Sequence, residues 1–369
     1  MSAPAAPQST ADLLHRLDHW TASGALRELD RAFVRFLAAE APDAPPLLLL
    51  AAALASHQLG RGHVCLDLAA TLADSHDAPD PTAAERPESA LAGLSLARWL
   101  DALADPRLVG SGAGDTPLVR EGNRLYLRRY WQHEHAVRTA LRARLAQTRA
   151  LREALPATAL RAALDALFAP AGERTDWQKI ACALCAGSAF SLITGGPGTG
   201  KTTTVVRLLA LLQSLALETG GPGRALRIRL AAPTGKAAAR LSASIAGALA
   251  KLADLALPHG EAARAAVPSE VTTLHRLLGS RPDSRHFRHD ASHPLALDVL
   301  VVDEASMIDL ELMSALLAAL PAHARLVLLG DKDQLASVEA GAVLGELCAR
   351  AEDGHYLPAT AAWLQEASG

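Results

Sequence analysis

The chain has 369 residues, a length that suggests two or three domains. Half of the residues are hydrophobic and only 4% are aromatic, so the domains can have sizeable cores built from aliphatic side chains. The net charge of −3 excludes nucleic-acid binding through overall charge, so any such contact would have to be local. The longest apolar run, residues 47–55, is too short to span a bilayer, and the N-terminus lacks the apolar core of a secretion signal. Because four cysteines in so long a chain favour a reducing compartment, we expect a cytoplasmic protein with no membrane segment.

Residues 1–110 predict a helical domain without a catalytic pattern. Helical apolar spacing covers three segments, Ala11 to Arg16, Ala25 to Glu40 and Leu47 to His57. Pro45 and Pro46 stand where the third helix would begin, a position that tolerates proline. Polar and proline-rich breaks at 42–46 and 75–87 separate the segments.

Residues 111–175 predict a linker followed by basic helices, with 105–117 as a linker or the approach to a hairpin. Residues 120–153 contain nine arginines and three glutamates, a net charge of +6. Helical spacing places Arg138, Arg142 and Arg149 on one face. This face could bind DNA or a partner, but with few aromatic residues interleaved we favour an ordinary solvated surface.

Residues 176–369 predict an α/β domain with a mostly parallel sheet covered on both faces. Apolar runs at 189–194, 226–232, 297–302 and 325–330 alternate with helical segments. The stretch 251–296 is a long insertion ahead of the third of these strands. Within it, His286, His289 and His293 lie in a polar loop that we interpret as solvated.

A helix precedes the first strand of this domain. Its residue Gln178, next to Trp177, could read an adenine edge through paired hydrogen bonds, although a plain surface position explains it equally well. Cys182 and Cys185 form a C-x-x-C pair in the same helix. With no second pair following, we interpret them as small core residues rather than metal ligands.

The first strand runs directly into a complete phosphate-loop motif, G-x-x-x-x-G-K-[ST]. The glycines would let the loop backbone wrap a phosphate chain, and the helix that begins near Lys201 would add its positive end. Lys201 would reach the β- and γ-phosphates, and the hydroxyl of Thr202 would bind Mg²⁺. A glycine-rich turn of similar sequence is the weaker alternative. The predicted nucleotide-binding residues are Gly195, Gly196, Pro197, Gly198, Thr199, Gly200, Lys201, Thr202 and Thr203.

Two further segments place polar residues at helix starts. Residues 226–241 predict a strand followed by Thr234 and Lys236, and residues 271–279 contain Thr273 and His275. Such residues suit contacts to a nucleic-acid backbone, but plain junctions between a strand and a helix are equally compatible with the spacing.

Asp303 and Glu304 follow the strand at 297–302, at the end where sites of open α/β sheets lie. Asp303 would hold Mg²⁺, and Glu304 would orient and deprotonate the attacking water. A helix N-cap is the alternative for this acidic pair. After the strand at 325–330, Gln334 could sense the γ-phosphate or belong to a polar loop.

Taken in order, these motifs resemble the superfamily 1 DNA helicases, and most of all their RecD branch, the alpha subunits of exonuclease V. The resemblance is carried by SHQLGRGHVCL (56–66), GGPGTGKTTT, AAPTGKAAARL, TLHRLLG, VVDEASMID and LLGDKDQLASVEAGAVLGEL. It covers about residues 50–350.

The resemblance implies a RecA-like ATPase domain at 176–369 and a 5′-to-3′ motor on single-stranded DNA that works with RecB-like and RecC-like subunits. It implies that residues 1–110 dock onto the RecC-like subunit and that the protein acts at the nucleoid. The motifs place Lys201, Asp303, Glu304 and Gln334 in catalysis. They also place Thr234, Lys236, Thr273 and His275 in motifs that contact DNA.

The family also has a second RecA-like domain, whose arginines reach the γ-phosphate, and no such motifs follow before Gly369. A missing arginine of this kind costs about 10³ to 10⁵ in turnover. We therefore expect this chain to bind ATP and to hydrolyse it poorly by itself. The alternatives are a stand-alone superfamily 1 helicase and an ATP-binding assembly module without motor activity.

Overall fold

A computed structural model of the chain describes residues 6–76, 86–169, 175–196, 198–220, 224–252, 255–331, 340–349, 351 and 356–369. Contacts between Cα atoms divide it into two compact units. Unit 1 contains the residues up to His135 and a short stretch around Gly341, and unit 2 contains the rest. The division falls near the middle of a helix rather than at the predicted boundaries, 110 and 175.

Unit 1 is built from helices and a small sheet. In chain order its elements are α1 (Thr10–Ala22), α2 (Glu28–Glu40), α3 (Pro46–Gly60), β1 (Cys65–Asp67), α4 (Leu68–His76), a 3₁₀ turn (Pro87–Leu91), α5 (Leu96–Ala102), β2 (Val109–Gly110), β3 (Leu118–Glu121), β4 (Arg124–Leu127) and the start of α6 (Arg128–Ala146).

The three predicted helices are confirmed, and Pro46 occupies the first turn of α3. Every residue of α3 from Leu47 to Ser56 is buried, so this helix is the centre of the unit 1 core. The expected helical region is confirmed, and a small sheet accompanies its helices. Strands β1, β4, β3 and β2 form a sheet in that order, and the β3–β4 hairpin belongs to it. Short strands of two to four residues carry too little alternation to be recognised in a sequence.

A buried carboxylate joins α2 to α3. The Asp30 side chain is fully buried and accepts hydrogen bonds from Ser56 Oγ at 2.7 Å and from the Arg27 guanidinium at 2.7 Å. His57 Nδ1 lies 3.2 Å from the same carboxylate. Burial alone would raise the pKa of Asp30, but the hydrogen bonds from His57, Arg27 and Ser56 together hold it well below the usual range.

Unit 2 is an α/β domain. Its elements after α6 are α7 (Thr148–Ala154), α8 (Ala157–Leu167), α9 (Trp177–Ala186), β5 (Phe190–Thr194), α10 (Lys201–Gly220), β6 (Ile228–Ala232), α11 (Gly235–Ala250), α12 (Gly260–Ala265), β7 (Val271–Thr273), α13 (Leu274–Leu278), β8 (Val299–Val302), a 3₁₀ turn (Ala305–Met307), α14 (Leu310–Ala319), β9 (Arg325–Gly330), α15 (Val343–Leu347) and α16 (Pro358–Ser368).

Five strands of unit 2 form one parallel sheet in the order β5-β9-β8-β6-β7. The predicted α/β fold and its parallel sheet are confirmed. All four residues of the central strand β8 are buried, as expected where helices cover both faces. Strand β7 was not predicted, because it has only three residues within the stretch that we interpreted as an insertion.

The basic segment does not form one continuous helical face. Helix α6 ends at Ala146, so Arg149 belongs to α7 and not to the helix that carries Arg138 and Arg142. Arg144 is buried and donates to the carbonyls of Leu320 (3.1 Å) and Ala322 (3.4 Å), just beyond the end of α14. One of the nine arginines therefore stabilises a helix end in unit 2.

Replacing Asp30 by Asn should destabilise unit 1 by about 3 kcal/mol, because it removes one partner of a buried, hydrogen-bonded ion pair. The pKa of Asp30 is lowered on folding, so its contribution is present above the ordinary value of 3.8 and is lost as the pH falls below it. Denaturant unfolding of the parent should therefore show a loss of stability in acid that Asp30→Asn lacks.

Asp18→Asn is the matched control for this prediction. Asp18 also pairs with arginines, Arg31 and Arg35, but its side chain is 44% exposed. Its loss should cost less than about 1 kcal/mol. Equal effects of the two substitutions would contradict a special role for the buried carboxylate.

Candidate nucleotide-binding and DNA-binding site

The carboxyl ends of all five strands of unit 2 lie at one edge of the sheet. Because the strands are parallel, the register pairs the last residues of neighbouring strands, Thr194 with Gly330 and Ala232 with Thr273. In the middle of the sheet, Val302 pairs with both Leu328 and Ala231. The segments that follow β5, β8, β6 and β7 are four of the five that the sequence singled out, and the fifth follows β9. The fold therefore brings the predicted motifs to a common edge.

The phosphate loop connects β5 to α10 with the expected geometry. The N–H of Gly195 donates to the carbonyl of Gly330 at 3.3 Å and extends the sheet by one bond, and α10 begins at Lys201. Gly198 and Gly200 adopt positive φ angles of 77° and 85°, which side chains other than glycine rarely adopt. The sharp turn of the loop therefore depends on these two glycines. Pro197 lies outside the described residues.

The ammonium group of Lys201 points into this loop. Its Nζ atom donates to the carbonyl of Gly195 and, at 3.0 Å, to that of Gly196. A Cβ atom built on Gly196 or Gly198 would meet no atom within 4 Å, so there is open space beside the loop backbone. A positive charge beside open space and a helix N-terminus fit a chain of phosphates.

Gln178 lies against the phosphate loop. Asp176 caps α9 by accepting from the backbone N–H groups of Gln178 and Lys179, which fixes the first turn. The Gln178 side chain donates from Nε2 to the carbonyl of Thr199 at 3.1 Å. Its Oε1 accepts from Arg207 at 3.4 Å. The glutamine that was predicted to read adenine thus also contacts the loop that would hold the phosphates.

The acidic pair follows β8. Burial raises the pKa of the Asp303 carboxyl, while its hydrogen bond from the Glu304 N–H (2.9 Å) and the charges of Lys201 and Arg240 lower it. The phosphate-loop lysine and this carboxylate therefore share one electrostatic environment. Glu304 has a φ of 52°, a left-handed conformation that is uncommon for a residue with a side chain and that concentrates at functional sites.

The alternative interpretation of this pair as a helix cap does not describe the structure. Glu304 precedes the 3₁₀ turn without making a side-chain capping bond. The next helix, α14, is capped instead by Asp309, which accepts from the N–H of Leu312 at 2.7 Å. The Asp303 carboxylate accepts from the N–H of Glu304 instead of capping a helix.

The donor set suits Mg·ATP. The hydroxyl of Thr202 and the carboxylate of Asp303 are oxygen ligands of the kind that Mg²⁺ prefers, and both side chains are partly exposed. Thr202 is in the first turn of α10, where the backbone N–H groups lack helical partners. Thr203, the next residue, is exposed. We therefore treat the predicted nucleotide-binding and magnesium ligands as compatible with the geometry.

The predicted DNA-contacting residues lie at the ends of β6 and β7. Thr234 and Thr273 each cap the following helix, since their hydroxyls accept from the N–H groups of Ala237 (3.2 Å) and Arg276 (3.3 Å). These contacts are those of ordinary junctions between a strand and a helix. Lys236 and His275, by contrast, are exposed and free to contact an anion, the His275 ring with an edge against Phe287.

Gln334 lies outside the described residues, so its predicted role as a γ-phosphate sensor stays a prediction. Cys182 and Cys185 are buried in α9, where burial raises the pKa of both thiols, that of Cys185 to about 11. Such thiols behave as core residues. His286 and His293 are exposed and His289 is partly exposed, as a solvated loop requires.

Sequence reasoning missed two basic residues of this site. Arg207 contacts Gln178, and Arg240 lowers the pKa of Asp303. Arg240 could have been found from its spacing, because it follows Lys236 by four residues and so shares a face of α11. Nothing in the sequence near Arg207 indicates its contact, which depends on the packing of α9 against α10.

Replacing Gly200 by Ala should distort the phosphate loop, because φ is 85° and the new Cβ would lie 2.5 Å from Gln178 Nε2. We expect a loss of about 1–2 kcal/mol in thermal unfolding and a weaker binding of ATP. Gly196→Ala, which meets nothing within 4 Å and has no positive φ, should unfold like the parent. A loop that tolerates both substitutions equally would contradict this geometry.

Comparison with known families gives two matches, one mainly in each unit. Residues 178–340 match the family described as an AAA domain, and residues 22–126 match the family described as the N-terminal domain of the RecBCD enzyme subunit RecD. The second match covers most of unit 1. It is evidence on the family of unit 1 that the site in unit 2 does not supply.

Individual relatives include RecBCD enzyme subunits RecD and a RecD2 DNA helicase. The chain is 44% identical over 258 residues to the RecBCD enzyme subunit RecD of Haemophilus influenzae, which covers 68% of this chain and 39% of the relative. It is 43% identical over 311 residues to that of Mycolicibacterium smegmatis, which covers 84% of this chain and 50% of the relative. The ATP-dependent RecD2 DNA helicase of Deinococcus radiodurans is 42% identical over 156 residues, 42% of this chain and 17% of the relative.

The chain thus spans about half or less of the length of these relatives. The two family matches follow one another along the chain in the order that the sequence motifs indicated, and the identities extend across both. The chain belongs to the RecD family.

Proposed function

We propose that this chain carries the partner-docking domain and the first ATPase domain of a DNA helicase subunit. The protein would use ATP to move 5′ to 3′ along single-stranded DNA, as part of a RecBCD-type exonuclease V complex in the repair and recombination of double-strand breaks. The observation that carries this proposal is the common sheet edge. There, one set of strand ends supplies a phosphate loop and an acidic pair, and another set supplies exposed cations.

The nucleotide would bind at the ends of β5 and β8. Lys201 would leave the carbonyls of the phosphate loop to contact the β- and γ-phosphates, which are better partners for an ammonium group. Thr202 and Asp303 would hold Mg²⁺, which neutralises charge on the phosphates when bound. Glu304, aimed by its left-handed backbone, would orient the attacking water and accept its proton.

DNA would cross the same edge at the ends of β6 and β7. Lys236 and His275 are exposed there, and the first turns of α11 and α13 present backbone N–H groups. Such groups contact phosphates without reading base sequence, which suits a motor that must move along any strand. Thr234 and Thr273 would act by holding these helix starts in place.

Unit 1 favours a complex subunit over a stand-alone helicase. Its match is to the N-terminal domain of a RecBCD subunit, and the similarity to the RecD2 DNA helicase of Deinococcus radiodurans covers less than half of this chain. We infer RecB-like and RecC-like proteins as partners, with unit 1 docking onto the RecC-like one. None of the helices in the described ranges is long and apolar enough to cross a membrane. We propose that the protein acts in the cytoplasm, on the DNA of the nucleoid.

An ATP-binding assembly module without motor output is the second candidate. Co-purification with RecB-like and RecC-like subunits would be expected for both this module and the helicase subunit. ATP turnover stimulated by single-stranded DNA in the reconstituted complex would be expected only for the helicase subunit. Its absence from a fully assembled complex would favour the module.

Lys201→Ala should weaken the binding of a fluorescent ATP analogue by about tenfold to a hundredfold, because it removes a charged partner of the phosphates. Lys236→Ala, a lysine at the neighbouring strand end, should leave this affinity unchanged. Unaltered binding in Lys201→Ala would remove the phosphate loop from the proposed site.

Lys236→Ala should weaken the binding of single-stranded DNA and lower the slope of log affinity against log salt by about 0.7, the loss of one phosphate contact. Lys251→Ala serves as the control, since Lys251 is an exposed lysine at the opposite end of α11. Fluorescence anisotropy over a salt series measures both. The same slope in Lys236→Ala and the parent would place the DNA elsewhere.

A further inference from the structure

Arg207 lies behind the candidate adenine-reading residue. It is in α10, two turns after the phosphate loop, and its guanidinium lies over the ring of Phe168, 4.6 Å from the ring centre. Its Nε atom is buried and has no hydrogen-bond partner among the described residues. The guanidinium donates to Gln178 Oε1 at 3.4 Å. No step of the proposed ATPase mechanism uses this arginine.

The two partners of the Gln178 amide fix which end is oxygen and which is nitrogen. A guanidinium can only donate, so the end that faces Arg207 must be the carbonyl oxygen. A backbone carbonyl can only accept, so the end that faces Thr199, at 3.1 Å, must be the NH₂ group. A free glutamine side chain can rotate by half a turn and exchange these ends, but Arg207 and Thr199 together prevent this.

The orientation of this amide decides which base it can pair with. Adenine presents a donor, its amino group, next to the acceptor N7, whereas guanine presents acceptors at both positions. An amide with a fixed oxygen and a fixed NH₂ group matches the donor and acceptor of adenine. Facing guanine, the fixed carbonyl oxygen would oppose the acceptor O6, and only an amide that rotates could turn its NH₂ group toward O6 instead.

We propose that Arg207 is a specificity-determining residue that makes the site prefer adenine over guanine nucleotides by holding the Gln178 amide in one orientation. Arg207 acts through Gln178 and is a positioning residue, with no contact to the nucleotide itself. The inference rests on the proposed function, because it requires that the site bind ATP and that Gln178 face the base.

The close packing around Gln178 supports this assignment. Gly200, the last glycine of the phosphate loop, has no room for a side chain because the Gln178 NH₂ group occupies that position. The backbone of Gln178 is held by Asp176 at 2.9 Å. Of the two contacts that hold the ends of the amide, the one to Thr199 is made by backbone and the one to Arg207 by a side chain, so a substitution of Arg207 removes its contact directly.

The test is the ratio of ATP to GTP affinity, measured by competition against a fluorescent nucleotide. Arg207→Met keeps an unbranched side chain over Phe168 and removes the donor. We expect the preference for ATP to fall about tenfold, with ATP binding weakened and GTP binding unchanged or stronger. Arg142→Met, an exposed arginine of α6, should keep the parental ratio. Equal weakening of both nucleotides in Arg207→Met would show a merely structural role and overturn the proposal.

A second comparison tests that Arg207 acts through Gln178. Gln178→Ala should lower the ratio, and adding Arg207→Met to it should lower the ratio no further. A further fall of the ATP-to-GTP affinity ratio in the double variant would show that Arg207 does not act through Gln178 and would overturn the proposal.

If Arg207→Met melts well below the parent, Arg207→Lys replaces it. Its shorter reach removes the contact to Oε1 while keeping the charge, and we expect the same fall. An unchanged ratio in Arg207→Lys would then overturn the proposal.

The parent protein separates failure of this inference from failure of the proposed function. A parent that binds ATP and GTP equally, with Lys201→Ala weakening both, would overturn the role of Arg207 and leave the nucleotide site intact. A folded parent that binds neither nucleotide would overturn the proposed function together with this inference.

Discussion

Parallel pairing of five strands is the constraint on which the rest of the candidate site depends. Backbone hydrogen bonds align β5, β9, β8, β6 and β7 so that all their carboxyl ends lie at one edge. Residues more than a hundred positions apart, such as Lys201 and Asp303, thereby come to share one electrostatic environment. A shift in the register of β5, β9 or β8 would move the phosphate loop relative to the acidic pair.

The opposite edge of the sheet holds this register. Asp298 accepts from the backbone and the guanidinium of Arg227, and its own backbone carbonyl accepts from the N–H of Arg325 at 2.9 Å. The starts of β6, β8 and β9 are thus joined at one residue, Asp298, through its carboxylate and its backbone carbonyl. The side-chain hydrogen bond from Arg227 lowers the pKa of Asp298 to about 2, so this carboxylate is charged at neutral pH. The ion pair of Asp298 and Arg227 thus lies at the amino ends of the strands, and the candidate nucleotide-binding residues lie at the carboxyl ends.

The sequence was informative where one pattern is repeated over many residues. The strands β5, β6, β8 and β9 were predicted within two residues of their ends, because buried parallel strands are continuous apolar runs. The phosphate loop was predicted to start its helix at Lys201, because the motif couples loop and helix. It was less informative where a feature depends on contacts between distant residues. Neither the buried cluster around Asp30 nor the role of Arg144 has a local signature.

The hydroxyls of Thr234 and Thr273 illustrate a different limit. From sequence, a threonine at a helix start suits a cap or a phosphate contact equally, and the structure shows the capping bonds. This favours Lys236 and His275 as the groups that would meet DNA directly. The orientation of the Gln178 amide likewise depends on Arg207, which packing brings close and the sequence does not reveal.

The most direct test of the account is whether residues from β8 and from the phosphate loop bind the same magnesium ion. Thr202→Val and Asp303→Asn should each weaken the magnesium-dependent binding of an ATP analogue. If both side chains hold one ion, the double variant should bind within about twofold of the weaker single variant. Effects that multiply, in proteins that melt like the parent, would show that the two residues act separately, and the common edge would not be one site.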